Sequence, residues 1–377
     1  MFVQSEYIRE AAALTLNSTY TQELPKSGLL SAILIRITGP QVSGYGQSGA
    51  DWRIVDEISK IEIIANGALL IKSIRGTQLH ALAFFDQFVT SPEPWRNYAT
   101  NDQRAYFLLN FGRFLYDGIV GLDLSKFNTV EIKITNTATA SDFSALTVSL
   151  LGIYLREPGE KKFLGYMRSE EWRNYASVQN RVDYFELPTE HLLRRILLQV
   201  TPDEDNTTGV DETTLEGVLS DIDLSFDTGL VRVYKGGIDD LVRQNYFHYR
   251  SYALTGGQAY MSADRGIRVG LGYVDAFALG SGAQDGAGSA TVPTFEGAHT
   301  GHTMNPQTYE ADSPIQFLCK GQAYQGCAVL NFDYDLDPAT WLDPNKRKTV
   351  LLNLTTADTA SAPDATVRVI LDRLVRY

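Results

Sequence analysis

One nine-residue block occurs twice in this chain. Leu122-Asp123-Leu124-Ser125-Lys126-Phe127-Asn128-Thr129-Val130 returns as Leu342-Asp343-Pro344-Asn345-Lys346-Arg347-Lys348-Thr349-Val350, with five of nine positions identical at an offset of 220. Each block runs into an alternating apolar stretch, then a loop of Thr, Ala, Asp and Asn, then a last apolar stretch. The fronts of the two halves match as well. Glu23-Leu24-Pro25 pairs with Glu186-Leu187-Pro188, and Ile33–Thr38 pairs with Ile196–Thr201, both at an offset of 163. Ile58–Ile63 pairs with Leu219–Leu224, Leu79 with Leu241, and Leu109-Asn110-Phe111 with Leu330-Asn331-Phe332. The offset therefore jumps between Leu241 and Leu330. The second half carries about 58 extra residues there, an insertion of the kind that loops tolerate and strands do not.

The repeat unit exceeds the roughly 20–50 residues of a solenoid or propeller repeat. It is the size of a whole domain, and 377 residues accommodate two of them. A hydrophobic content of 44%, with 20 Tyr and 17 Phe, supports two cores. No apolar run approaches the roughly 18 residues of a membrane span. Met1–Glu6 lacks the basic and apolar regions of a secretion signal, so synthesis and folding in a cytoplasm are expected. A formal net charge of −12 lacks the basic footprint of a nucleic-acid binder. Cys319 and Cys327 lie close together; two free thiols and one disulfide are both open, and a reducing compartment favours the thiols.

Strand patterns dominate. Val130, Ile132 and Ile134 alternate with Glu131 and Lys133, as in a half-buried antiparallel strand. Asp221–Phe226 repeats the pattern. Asn66-Gly67 between two apolar runs marks a hairpin, because both residues tolerate positive φ. Each half offers about eight such strands, the spacing of a sandwich or barrel. Short helices are expected at Met1–Leu16, Pro94–Arg104 and Ser169–Gln179. The last two share Trp-Arg-Asn-Tyr-Ala, at Trp95–Ala99 and Trp172–Ala176, as paired capping elements or by coincidence. The expected organisation is an arm over 1–22, a first β-domain over 23–157, a connector over 158–185 and a second β-domain over 186–377. The Gly-rich insertion, about 245–325, is expected on an exposed face.

No motif carries recognisable catalytic chemistry. Gly280-Ser281-Gly282 lacks the third glycine of a dinucleotide loop and the Gly-Lys of a phosphate loop. His299 and His302 lack further metal ligands. The acidic groups Asp203–Asp205 and Asp333/Asp335/Asp337 lack the Gly and terminal Glu of a calcium loop. No nucleophile elbow occurs, although paired carboxylates that meet only in space stay open. No catalytic, cofactor-binding or metal residues are assigned.

The chain resembles the double jelly-roll major capsid proteins of tailless icosahedral viruses, the tectivirus-like and corticovirus-like bacteriophage lineage. The resemblance rests on Leu24-Pro25 with Gly28-Leu29 and the strand Ile33–Thr38, on the Ile61–Ile71 hairpin, and on Leu122–Leu155 echoed by Leu342–Leu374. It implies an all-β fold of two tandem eight-stranded antiparallel jelly rolls. It also implies a non-enzymatic virion protein forming pseudo-hexameric homotrimers that tile an icosahedral shell. The implied partners are neighbouring capsomers, penton and minor capsid proteins, and an internal membrane reached by the N-terminal arm. The one weak apolar stripe of Met1–Leu16 argues against strong lipid anchoring. The insertion would form a tower. Phe2, Tyr7, Trp172 and Tyr175 are the aromatic interface candidates. The alternative is a tandem jelly-roll carbohydrate-binding protein or glycan amidase.

Overall fold

The computed structural model describes residues 2–40, 42, 54–91, 95–97, 102–141, 143–157, 159, 163–201, 215–250, 252–259, 267–269, 277–282, 294–296, 302–305, 315–358 and 365–377. The first half contains strands β1 (Phe2–Leu14), β2 (Thr19–Glu23), β3 (Leu29–Pro40), β4 (Lys60–Ala65) and β5 (Leu69–Ile74), helix α1 (Gly76–Gln87), and strands β6 (Asp102–Asn110), β7 (Val130–Thr135) and β8 (Leu146–Arg156). The second half repeats the series. Its strands are β9 (Gly165–Ala176), β10 (Val182–Glu186), β11 (Leu192–Thr201), β12 (Leu219–Phe226) and β13 (Val231–Gly237). Helix α2 (Ile238–Tyr249) follows, then β14 (Cys327–Asn331), β15 (Val350–Thr356) and β16 (Thr366–Arg376).

In the first half, β1-β8-β3-β6 form one sheet and β2-β7-β4-β5 the facing one; in the second, β9-β16-β11-β14 and β10-β15-β12-β13 do the same. These are two jelly rolls of one topology. They are joined through a continuous sheet, because edge strand β5 pairs in parallel with edge strand β9, Lys72 opposite Ser169 and Ser73 opposite Glu170.

The sequence repeat is a repeat of hydrogen bonds. Leu24 N donates to Val130 O at 2.8 Å and Leu187 N to Val350 O at 2.9 Å. Thr137 N donates to Glu57 O at 2.9 Å and Ala357 N to Val218 O at 2.8 Å. Asp123 in the first block accepts from Ser125 N at 3.0 Å, and Asp343 in the second from Asn345 N at 3.2 Å, each capping a one-turn 3-10 helix. Asn66 accepts from Asn128 N, and its counterpart Asp227 from Lys348 N, both at 2.8 Å. The Asn66-Gly67 hairpin forms as expected, with φ of 51° and 73°, the left-handed pair that Asn-Gly accommodates.

Each roll has its own core. Ile33, Ile35, Ile61, Ile63, Phe107, Ile132 and Val148 lie in the first, and Ile196, Leu198, Ile222, Leu224, Leu352 and Val367 in the second. The first cluster does not stop at its roll. It takes in Leu197, Cys327, Val329 and Ile370 from the outer face of the second roll's sheet, and Tyr324 from the turn before β14.

Three helix expectations are corrected. Met1–Leu16 contains β1, which pairs along its length with β8. Two register shifts, between Tyr7 and Arg9 and between Arg9 and Ala12, break its alternation and leave a false helical spacing. Trp95–Asn97 is extended and pairs with β6, and Ser169–Ala176 belongs to β9, shifted between Glu171 and Arg173. The described part of the shared pentapeptide, Trp95–Asn97 and Trp172–Ala176, therefore lies on strands in both places. The two 12-residue helices, α1 and α2, went unforeseen although Leu79 and Leu241 already marked them as a matched pair. The stretches read as arm and connector carry β1 and β9, paired into the sheets. Within the insertion, Tyr252–Ala259, Ile315–Gly321 and Phe277–Gly282 form one three-stranded sheet, and Ile267–Val269, His302–Asn305 and Thr294–Glu296 another. Asp203–Asp205 and His299, the side chains of His302 and Cys319, and most of the Gly280–Gly288 run lie outside what is described. Among the described residues, no helix is long and apolar enough to cross a membrane.

Candidate functional site: a buried ionic seam between the rolls

The outer face of the β9-β16-β11-β14 sheet is covered by α1 of the first roll, and β5 adjoins its edge at β9. Strand β11 places Leu193, Ile196, Leu198 and Val200 on its own core. A bulge between Leu193 and Arg195 breaks the alternation, so that consecutive Arg194 and Arg195 both reach toward the first roll. Strand β3 has the same bulge at Ser31, its register shifting opposite Ile153 and Tyr154. The backbone bonds match too: Phe332 N donates to Arg194 O and Phe111 N to Ser31 O, both at 2.9 Å. The bulge belongs to both copies; only the second loads it with charge.

Three cations meet three carboxylates there. Arg195 donates through Nη2 to Asp86 Oδ1 at 2.6 Å and through Nε to Asp372 Oδ2 at 2.9 Å. Arg194 donates through Nη1 to Asp86 Oδ1 at 2.7 Å and through Nε to Asp333 Oδ2 at 2.9 Å. Trp341 Nε1 donates to the other oxygen of Asp333 at 2.8 Å. Lys72 Nζ donates to Ser169 Oγ at 2.8 Å, and that hydroxyl donates to Asp372 Oδ1 at 2.6 Å. Asp86 and Lys72 come from the first roll, the others from the second. All six charged side chains are buried. A second tier flanks them. Gln78 Nε2 donates to Glu171 Oε2 at 2.6 Å and to Gln199 Oε1 at 3.1 Å, and Arg75 pairs with Glu171 at 3.0 Å. Arg113, paired with Asp117 at 2.7 Å, reaches across to donate to Leu336 O.

Burial and charge pull these groups in opposite directions. Desolvation lowers Lys72 most; Asp372 and Asp86 offset only part of it, and the ammonium is pushed down to about 8. Burial opposes ionisation of Asp372, but Arg195, Arg194 and Lys72 outweigh it and hold the carboxyl below its ordinary value. Arg194 is raised, its three carboxylates outweighing desolvation. The pH consequences have opposite signs. Asp372 contributes stability in full above 3.8 and loses it as pH falls through its lower folded value. Between about 8 and 10.5 the unfolded chain holds the Lys72 proton and the folded chain does not, so the contribution of this group to stability rises with pH across that window. Buried Cys327 and the buried tyrosines, all pushed up, act in the opposite sense above about 9, so the Lys72 contribution is read as a difference. In unfolding titrations the parent chain is expected to gain stability relative to Lys72→Met as pH rises from about 8 to 10.5.

The seam is a fastening, not a reaction centre. The cavity beside Lys72, Asp86, Arg195 and Asp372 is about 10 Å³, room for at most about one water. The seam's own carboxylates, Asp86, Asp333 and Asp372, are committed to arginines. Breaking such a buried set costs more than the set itself contributes, which makes it a device for holding two rolls in one orientation. Apolar contacts reinforce it: Phe84 packs on Tyr324 at 5.5 Å and Phe85 on Tyr249 at 4.8 Å between ring centroids.

Sequence reasoning missed this set. Its signal was Arg194-Arg195 and Asp372-Arg373 inside otherwise apolar strands. Of the Asp333/Asp335/Asp337 group, Asp333 turns inward to Arg194, while Asp335 and Asp337 accept from Thr340 Oγ1 at 2.7 Å and Ala339 N at 2.9 Å in a surface turn. Among the described residues no His, Cys, Asp and Glu cluster could hold a metal. Phe2 and Tyr7 are exposed on β1. Trp172 and Tyr175 are not free surface aromatics: both are partly buried and pack on Phe185 beside the second core, at 6.1 and 5.4 Å. Cys327 is a buried free thiol that burial pushes up.

No protein-family model matches the chain, and no curated protein matches it. Solved structures do. The STIV major capsid protein aligns with a TM-score of 0.62 at 12% identity, covering 100% of this chain and 98% of that one. The PBCV-1 virus capsid aligns at 0.53 and 10%, covering 99% and 93%. The major capsid protein from bacteriophage PM2 aligns at 0.52 and 9%, covering 100% and 98%. The fold shared along these lengths is the double jelly roll.

Proposed function

We propose that this chain is the building block of a viral shell, a major capsid protein whose copies associate as homotrimers. The observation that carries the reading is the fusion of two equivalent rolls into one rigid body by a shared sheet and a buried ionic seam. A chain with two equivalent rolls in a fixed relation offers two of the six positions of a ring. Three chains close it, because a head-to-tail contact of suitable rotation generates a closed cycle. Six upright rolls make a near-hexagonal block that packs against others like it. The likeness to capsid proteins along the whole chain supports the same reading.

The insertion after α2 supplies a tower on one roll in two. Interfaces with neighbouring blocks, with a five-fold vertex protein and with minor shell proteins follow from tiling a closed surface. The role is structural, with virion as its place. A carbohydrate-binding or amidase role finds no support in the seam, whose carboxylates are sequestered. Light scattering on the purified chain tests the reading: a mass near three times 41.8 kDa is expected, and a monomer at high concentration overturns it.

A further inference from the structure

The two rolls expose unequal surfaces at equivalent positions, and the inequality maps a second contact. Strands β5 and β9 are sheet edges that meet inside the chain. Their counterparts, β13 and β1, are also edges, each with one paired neighbour among the described residues. On β9, Tyr166 and Met167 are 2% and 1% exposed beneath the first roll; their counterparts on β1, Phe2 and Val3, are 51% and 45% exposed. On α1, Phe85 is 4% exposed beneath the second roll; its counterpart on α2, Phe247, is 85% exposed. The side chains are apolar in both copies, yet only one copy covers them. Bare apolar edges of this kind mark contact surfaces.

Resting on the capsid reading, we infer that β13 and α2 of one chain dock on β1 of a second copy, repeating between chains the contact that β5 and α1 make with β9 within one. The register transfers residue by residue. Glu62 lies opposite Ser73 and Asp223 opposite Lys235, which makes Lys235 the counterpart of Ser73 and Tyr234 that of Lys72. Glu6 faces Gly152 and Glu170 faces Leu371, their sheet counterparts. Since Lys72 pairs with Ser169 and Ser73 with Glu170, Tyr234 pairs with Ser5 of the neighbour and Lys235 with Glu6. The last pair brings opposite charges together, and both residues are exposed in the single chain. The contact within the chain is locked by charge. At the equivalent places between chains stand Ser31 and Ala32 for Arg194 and Arg195, and His248 for Asp86. The second contact is therefore apolar with one ion pair at its rim, a form that assembles from preformed chains.

Cross-linking tests it in the chain of 377 residues. Glu6→Cys and Lys235→Cys chains are mixed and treated with a short bis-maleimide, and linked peptides are located by mass spectrometry. A 6-to-235 link between copies is expected, at least about tenfold above an out-of-register Glu10→Cys and Lys235→Cys mixture, because a fixed contact raises effective concentration. A trimer by light scattering without that link overturns this contact and leaves the capsid reading standing. A monomer overturns both. Charge reversal gives a second readout: Glu6→Lys and Lys235→Glu alone weaken the trimer, and together restore it. Single reversals without effect also count against the pair.

Discussion

Replacing Asp372 with Asn is expected to destabilise the folded chain by about 3–5 kcal/mol. Asp372 faces all three cations of the seam: Arg195 at 2.9 Å, Arg194 at 3.5 Å and Lys72 through Ser169 Oγ. The amide keeps the volume and loses the charge. Three buried cations then face two carboxylates unless Lys72, already pushed down to about 8 with Asp372 present, gives up its proton; either way the seam loses its charge balance. The loss should read as a lower midpoint in equilibrium urea unfolding. Lys72→Met in the same chain removes the surplus cation, leaving Arg194 and Arg195 opposite Asp86 and Asp333. The double variant is therefore expected to recover part of the loss, a coupling that a double-mutant cycle measures. A loss below about 1 kcal/mol, the range of a surface pair, would contradict the seam as a fastening.

Gly165→Val is expected to be the other severe change. Gly165 opens β9 with φ at +156° and pairs with Arg376 at the end of β16. Its carbonyl accepts from Gly121 N of the first roll at 2.9 Å. A Cβ there would lie 1.9 Å from Val375 O, a backbone atom that cannot swing aside. The chain must shift where it enters the second roll, and both the β9–β16 pairing and the contact to Gly121 shift with it. Strain of this kind costs about 1–3 kcal/mol from the dihedral alone, and the clash adds to it. Gly67→Ala is the control, since nothing lies within 4 Å of that added carbon. Comparable losses in both variants would show that the close approach at Gly165 does not matter.

Much of this architecture was legible from the repeat. Leu122–Val130 and Leu342–Val350 carry the same Asp cap, and Ile33–Thr38 and Ile196–Thr201 occupy matched strands, because strand patterns with one buried face are written in a period of two. Strands β1 and β9 were misread because their bulges break that period. Helix α1 was hidden for another reason. It is buried on nearly every side, with Gln78, His80, Ala81, Phe84 and Phe85 all covered, so it shows no amphipathic stripe. The seam was visible only by comparison. Ser31-Ala32 against Arg194-Arg195, and Ile153-Tyr154 against Asp372-Arg373, differ in charge where the strands otherwise agree. Such a difference between copies marks a face that only one of them buries against its twin. Which charges meet across it depends on the pairing of β5 with β9, and no local pattern contains that.

On the proposed reading, two rolls held at a fixed angle are two sixths of a ring. Electron microscopy of the purified chain tests this. Six-lobed particles with three-fold symmetry, every second lobe bearing extra density from the insertion, are the expected result. Particles of two lobes only, or rings of any other number, would contradict it.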